Sequence, residues 1–330
     1  MGNIYPLKFT PILKERIWAG SKLSDLLMKP LPGNKKYGES WEISGVQGDI
    51  SCVSNGFLAG NNLQELIEIY MGDLVGESIY DQFGIEFPLL IKFIDAAEPL
   101  SVQVHPDDAL ARKRHNSYGK TEMWYVMHAA PESEMISGFN QQMDQNLYHQ
   151  HLNNKTLSSV LHAEKVIAGD VLYIPAGRVH AIGAGIMVAE IQQTSDVTYR
   201  IYDWDRVDAS GNSRELHSEL AVDCMDYSKT EGSCKTSYPL MTNKTSEILT
   251  CPYFTTNILS FDKTIGKDYF DLDSFVLYIC LEGDFLLKYD GGSEQIHSGE
   301  TILLPAMMDQ FTLTPGSSAK LLEVYIKPGK

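Results

Sequence analysis

At 330 residues the chain is long enough to bury one or two cores of ordinary domain size, and 43% hydrophobic with 21% charged residues is a globular composition rather than a disordered one. Its 43 acids against 27 Lys and Arg leave a net charge of −16, which disfavours nucleic acid and anionic membranes as partners and means that an anionic ligand needs a local cluster of bases.

The first twenty residues, MGNIYPLKFTPILKERIWAG, have neither the basic start nor the apolar core of a secretion signal, and no run of about 18 apolar residues follows, so no membrane span is expected. Five scattered cysteines, never spaced CxxC, suit reduced thiols and a cytoplasmic location. Short β-rich runs punctuated by Gly, Pro, Asn and Asp predict a mainly β protein with a few helices. The first helix is expected over 61–74 (NNLQELIEIYMGDL), where apolar residues recur at helical spacing. Strands are expected at 87–94, 100–104 and 123–127, then helix in one or two pieces over 143–161. Strands at 171–174 and 186–192 and a helix at 216–225 complete the first two-thirds. His149 and His151 form an HxH pair, but on a helix two residues apart face different sides, so both are expected on the solvent side.

One unit occurs twice. Residues 169–180 read GDVLYIPAGRVH and residues 299–310 read GETILLPAMMDQ. Gly169 and Gly299 are 130 positions apart, as are Pro175 and Pro305. A turn–strand–turn unit used twice predicts two related β-barrels. The position of His180 is held by Gln310 in the second copy, so the first barrel is expected to carry the chemistry. The polar, turn-rich stretch 228–248 sets the expected domains at 1–240 and 241–330.

Gln103 and His105 alternate along an expected strand and share a face. Glu122 begins the next strand and His180 ends PAGRVH. Two imidazoles, a carboxylate and a neighbouring amide make a cage for a borderline divalent ion such as Zn²⁺, one per chain, with a position open for a substrate oxygen. Two His and one carboxylate also suit non-haem iron. Lys92, inside the apolar run LLIKFI, is costly to bury unpaired and is a candidate for holding a substrate anion.

The spacing of Gly169, Pro175, Gly177 and His180 resembles the second motif of the cupin superfamily, with Ala184 where an Asn often closes it. Four segments go further: PLLIKFIDAAEPLSVQVHPDD (88–108), GKTEMWYV (119–126), PAGRVHAIGAG (175–185) and QQTSDVTYRIYDWDR (192–206) resemble the type I mannose-6-phosphate isomerase family, in its short bacterial form. IWAGSKL (17–23), GESWEIS (38–44) and RELHSELAVD (214–223) are similar to further segments of that family. The resemblance implies two cupin-like jelly-roll barrels, the second degenerate, and a zinc-dependent interconversion of mannose 6-phosphate and fructose 6-phosphate through a cis-enediol(ate), with the metal as Lewis acid. It implies Gln103, His105, Glu122 and His180 as zinc ligands and Arg200 as an active-site residue. Lys120 and Glu190 match positions that handle protons or phosphate, and Trp18, Trp41 and Glu42 fall in segments that line the family's pocket. Blander roles stand beside these: Arg200 as the partner of Asp196 or Asp203, Glu190 as support for a ligand, and the chain as a sugar-binding cupin without catalysis. The oligomeric state is not legible in the sequence.

Overall fold

The computed structural model describes residues 4–207 and 211–327. The chain opens with strands β1 (Leu7–Lys8) and β2 (Ile12–Glu15), a single turn α1 (Lys22–Asp25) and β3 (Tyr37–Ser44). Helices α2 (Leu63–Tyr70), α3 (Gly72–Val75) and α4 (Glu77–Phe83) follow, then β4 (Leu89–Ala96), β5 (Val102–Val104), α5 (Asp108–His115), β6 (Glu122–Ala129), β7 (Glu134–Phe139) and α6 (Gln145–Asn153). Next come a short 3₁₀ turn, β8 (Leu161–Lys165), β9 (Val171–Ile174), β10 (His180–Ile182), β11 (Ile186–Gln193), β12 (Tyr199–Tyr202) and α7 (Ser218–Val222). The remainder is strand: β13 (Ser246–Thr250), β14 (Thr255–Phe261), β15 (Ile265–Asp268), β16 (Val276–Tyr289), β17 (Gly292–His297), β18 (Thr301–Leu304) and β19 (Gln310–Tyr325). No described helix is long and apolar enough to cross a membrane.

The expected elements form, with two informative differences. The helix expected over 61–74 splits into α2 and α3 because Met71 adopts φ 48°. Its start is fixed by a capping box, in which Asn62 accepts from the Glu65 N–H and Glu65 accepts from the Asn62 N–H. Helix α5 has no counterpart among the expected elements, since DALARKRH carries almost no apolar periodicity; Asp107 caps it by accepting from the Leu110 N–H. His149 and His151 are half-buried rather than exposed, and the His151 ring pairs with the Thr156 hydroxyl at 2.9 Å.

Two sheets make the first part. One runs β2-β3-β4-β11-β6-β9 and the other β12-β5-β10-β7-β8, and Trp124, Leu172, Ile182 and Val188 pack between them. Strands β4 and β11 are buried along all eight residues, so the polar groups they carry, Lys92, Glu190 and Gln192, must find partners inside. The third sheet runs β1-β18-β16-β19-β14-β13, with β15 and β17 attached to β19 and β16. It wraps its own core, bending where the register shifts at Cys280 and Gly283. Gly283 has φ +72° and a Cβ there would lie 2.1 Å from the Ser318 carbonyl oxygen, so only glycine permits this bend.

The repeat read from the sequence extends through strand register. In the first part Leu172 pairs with Trp124, Trp124 with Glu190, and Glu190 with Lys92. In the third sheet Ile302 pairs with Tyr278, Tyr278 with Glu323, and Glu323 with Asn257. The same registration sets Val276 opposite Leu304 where Glu122 stands opposite Ile174, and Asp268 opposite Gln310 where Gln103 stands opposite His180. A buried glutamate persists in both halves. The residues at the candidate ligand positions do not.

Candidate metal centre and active site

His180 opens β10 after a turn that depends on Gly177, where φ is +87° and a Cβ would meet the Cys224 carbonyl oxygen at 2.7 Å. His105 follows β5. Glu122 opens β6 after Gly119, whose backbone passes so close to the start of α5 that a Cβ would lie 2.6 Å from the Asp108 nitrogen. These two turns and the end of β5 bring His105, Glu122 and His180 together, each buried, between the two facing sheets.

Each imidazole is fixed through Nδ1, His105 against the Val197 carbonyl at 3.0 Å and His180 against the Arg178 carbonyl at 2.7 Å. A carbonyl only accepts, so each Nδ1 carries the proton and each Nε2 presents its lone pair. Those two Nε2 atoms lie 3.1 Å apart. Glu122 Oε1 is 3.3 Å from His180 Nε2 and Oε2 is 3.6 Å from His105 Nε2, and Oε2 is buried without a hydrogen-bond partner. The Lys120 ammonium, 3.1 Å from His105 Nε2 and 3.5 Å from Glu122 Oε2, relieves this cluster on one side only; two converging lone pairs and a buried carboxylate are a donor set that a divalent cation among them would satisfy. Burial holds the His180 pKa down to about 4 and, with Lys120 nearby, holds His105 well below its usual range, so neither ring supplies that positive charge as imidazolium near neutrality. The trio fits a divalent metal, and the carbonyl partners of Nδ1 are the usual outer support of histidine ligands. Gln103 lies level with His180 on the neighbouring strand and lines the same cavity.

That cavity, about 350 Å³, is also lined by Arg16, Trp18, Glu39, Lys92, Lys120, Glu190, Asp196, Arg200 and Arg214. The candidate residues Lys120, Glu190 and Arg200 are therefore gathered around the trio. Lys120 Nζ lies 3.1 Å from His105 Nε2 and 3.5 Å from Glu122 Oε2. Glu190 accepts from Trp124 Nε1 at 2.9 Å and is paired with Lys92 at 3.0 Å; burial alone would raise its pKa, but Lys92 and Lys120 outweigh that and keep it below the usual carboxylate range. Arg200 lies level with Gln103, donates to Ser101 Oγ and to the Glu215 carbonyl, and makes no ion pair with Asp196 or Asp203. Asp203 is instead held by Arg206 and Arg214. Burial and the charge of Arg214 both press the Arg200 cation, which an anion in the cavity would relieve.

Two weaker expectations need correction. Lys92 is not a free cation awaiting an anion, because Glu190 and the Gln192 side chain already hold it. Glu42 does not line the cavity. It falls in the bulge between Trp41 and Ile43, faces the other way, and forms a buried ion pair with Lys29 at 2.7 Å. Glu39, on the cavity face of the same strand, stands there instead, oriented by Trp41 Nε1 at 2.7 Å and Arg16 Nε at 2.6 Å. Arg16 and Arg214 were not singled out from the sequence. Both lie outside the expected strands; Arg214 opens the family-like stretch 214–223, and Arg16 sits just before the stretch 17–23.

The chain matches the family model of the phosphomannose isomerase type I catalytic domain over residues 7–124 and that of the mannose-6-phosphate isomerase cupin domain over residues 244–326. It is 34% identical to the mannose-6-phosphate isomerase ManA of Bacillus subtilis over 313 residues, 93% of this chain and 95% of that one. It is 37% identical to the mannose-6-phosphate isomerase of Streptococcus mutans over 250 residues, 76% and 77% of the two chains. The crystal structure of the mannose 6-phosphate isomerase from Bacillus subtilis superposes with a TM-score of 0.87 at 32% identity, covering 98% of this chain and all of that one. Phosphomannose isomerase from Salmonella typhimurium, at 15% identity and a TM-score of 0.78, shares the fold.

Proposed function

The chain belongs to the type I mannose-6-phosphate isomerase family, and from that premise we propose that it interconverts mannose 6-phosphate and fructose 6-phosphate using one Zn²⁺ held by His105, Glu122 and His180, with Gln103 as a further ligand. The observation that carries the metal is the 3.1 Å approach of two lone-pair-bearing Nε2 atoms beside the buried Glu122 carboxylate. Nitrogen and carboxylate donors in that number suit zinc with a position left open.

Aldose–ketose isomerisation removes a proton from carbon 2, passes through a cis-enediol(ate), and returns a proton to carbon 1. Bound Zn²⁺ supplies Lewis-acid polarisation of the sugar oxygens without redox chemistry. Lys120, 3.1 Å from His105 Nε2, and Glu190, which lines the same cavity, are titratable side chains that are not themselves ligands, and they are the proposed pair for moving the proton. Trp124 and Lys92 fix Glu190 in place and keep it ionised. Arg200 stabilises the negative charge that develops on the sugar. Arg16 and Arg214 are paired with Glu39 and Asp203 as Lys92 is with Glu190, but their side chains are 32% and 30% exposed against 5% for Lys92, and on that nearness to solvent they are assigned the phosphate. This gives the acidic chain the local cluster of bases that an anionic substrate requires. Five free thiols support a reducing, cytoplasmic setting.

A coupled assay for fructose 6-phosphate, run on protein as purified, after chelation and after Zn²⁺ is restored, tests the proposal. Activity is expected to vanish with chelator and return with zinc; activity indifferent to chelation removes the metal from the reaction. His180→Ala is expected to lose both bound zinc and turnover.

A further inference from the structure

Beyond the catalytic trio, one other group of side chains has the donors and spacing to hold a metal among the described residues: His162, Glu164 and Cys234, whose ligand atoms all lie within 4.8 Å of one another. We propose that these three form a second, exchangeable site for a zinc-class ion, separate from the catalytic centre, that clamps the 229–236 segment across the seam between the two sheets of the first part.

The site is built from an edge and a strap. β8 ends the order β12-β5-β10-β7-β8, and His162 and Glu164, two apart on that strand, project from one face. The strap crosses from one sheet to the other. Lys229 bridges Phe139 of β7, and Lys235 bridges Leu172 of β9, the terminal strand of the facing sheet. Cys234 lies between these anchors, half-buried against the inter-sheet core. Glu164 already orients the strap, accepting from the Cys234 N–H at 2.7 Å and from the Ser233 hydroxyl. Such hydrogen bonds to a carboxylate are what positions it as a ligand.

The His162 ring has no hydrogen-bond partner among the described residues. The Cys234 thiol donates to the Ser137 carbonyl at 3.5 Å, an ordinary distance for sulfur. On binding a divalent ion, Cys234 would release its proton to solvent and bind as thiolate, His162 through a neutral nitrogen and Glu164 through an oxygen, with water completing a tetrahedron. Thiolate and imidazole together select the borderline-soft ions over Mg²⁺ or Ca²⁺. All three residues are partly exposed, unlike the buried catalytic trio, so the ion should exchange more readily.

Cobalt(II) reads this out directly, because none of the catalytic ligands is a cysteine. Full-length protein stripped with chelator is titrated with Co²⁺, following thiolate-to-cobalt charge transfer in the near ultraviolet and the number of ions bound. Wild type is expected to bind two ions and show the charge-transfer band. Cys234→Ser, which keeps a hydroxyl able to reach the Ser137 carbonyl, should lose the band and one ion while retaining isomerase activity. His162→Gln should likewise lose one ion, and His180→Ala should keep the band while binding one. A band absent from wild type, or undiminished in Cys234→Ser, overturns the proposal. Failure of the catalytic metal reading gives a different pattern: a single ion, kept by His180→Ala and lost by Cys234→Ser.

Discussion

Lys92 shows how one residue can be read rightly for its cost and wrongly for its use. A lysine inside LLIKFI has to be neutralised where it stands. The neutralising group is Glu190, directly across on β11, and not a substrate. Lys92→Met should therefore destabilise by about 3–5 kcal/mol, because it leaves the buried Glu190 charge without its partner, and adding Glu190→Gln should recover part of that loss. Urea unfolding of the two single variants and the double variant measures the coupling; simple additivity would mean the pair is solvated. Arg214→Gln should raise KM for the sugar phosphate more than it lowers kcat, as expected of a group that grips the unreacting phosphate. Arg200→Ala should fold, retain zinc and lose about 10²-fold in kcat. The trio was legible because short strands and glycine turns fix its side chains, whereas Arg200 was reached only through the family resemblance of the stretch around it. Arg16, Glu39 and Arg214 were not legible, since a bulge in β3 and two irregular segments decide where they arrive.

Helix α4 illustrates what single elements borrow from distant chain. Its N-cap is Gly76, which offers no side chain, and the cap is supplied by Asp273, accepting from the Glu77 and Ser78 N–H groups at 2.7 and 3.0 Å. No sequence pattern around 76 announces that helix, because its cap lies nearly two hundred residues away. Asp273→Ala should cost about 1 kcal/mol, the usual worth of an N-cap. Burial opposes the Asp273 charge more than any other single influence, but the hydrogen bonds from Ser78 and the helix amides together outweigh it and hold its pKa below the ordinary value. A depressed carboxylate stabilises the fold above its unfolded pKa and ceases to do so as pH falls through the folded one. The difference between wild type and Asp273→Ala should thus be full at pH 7 and shrink below about pH 4. A gap unchanged in acid would show that packing, and not the capping charge, is lost.

At the scale of the whole molecule, the third sheet wraps a core of its own and also shares one with the first part. Leu277, Ile279, Leu303, Leu322 and Val324 of the third sheet belong to one buried cluster with Leu63, Leu66, Phe87 and Leu89 of the first part. The N-terminal strand β1 pairs with β18, so the start of the chain is woven into the last sheet. Periodicity and turn signals made the strands legible, but not this shared core, because which outer faces meet depends on residues far apart in sequence. Gln310, exposed and paired to Asp268 in the backbone register, has none of the convergent donors around His180, and Gln310→Ala should leave zinc content and turnover unchanged. Removing the third sheet is another matter. A fragment of residues 1–240 keeps every candidate catalytic residue yet exposes the apolar faces of α2 and β4 and loses the partner of β1. It should bind a hydrophobic dye, lack a cooperative melting transition and show no isomerase activity, while the full chain unfolds in one step by calorimetry. A fragment that melts cooperatively and turns over substrate would make the third sheet an appendage and not half of the core.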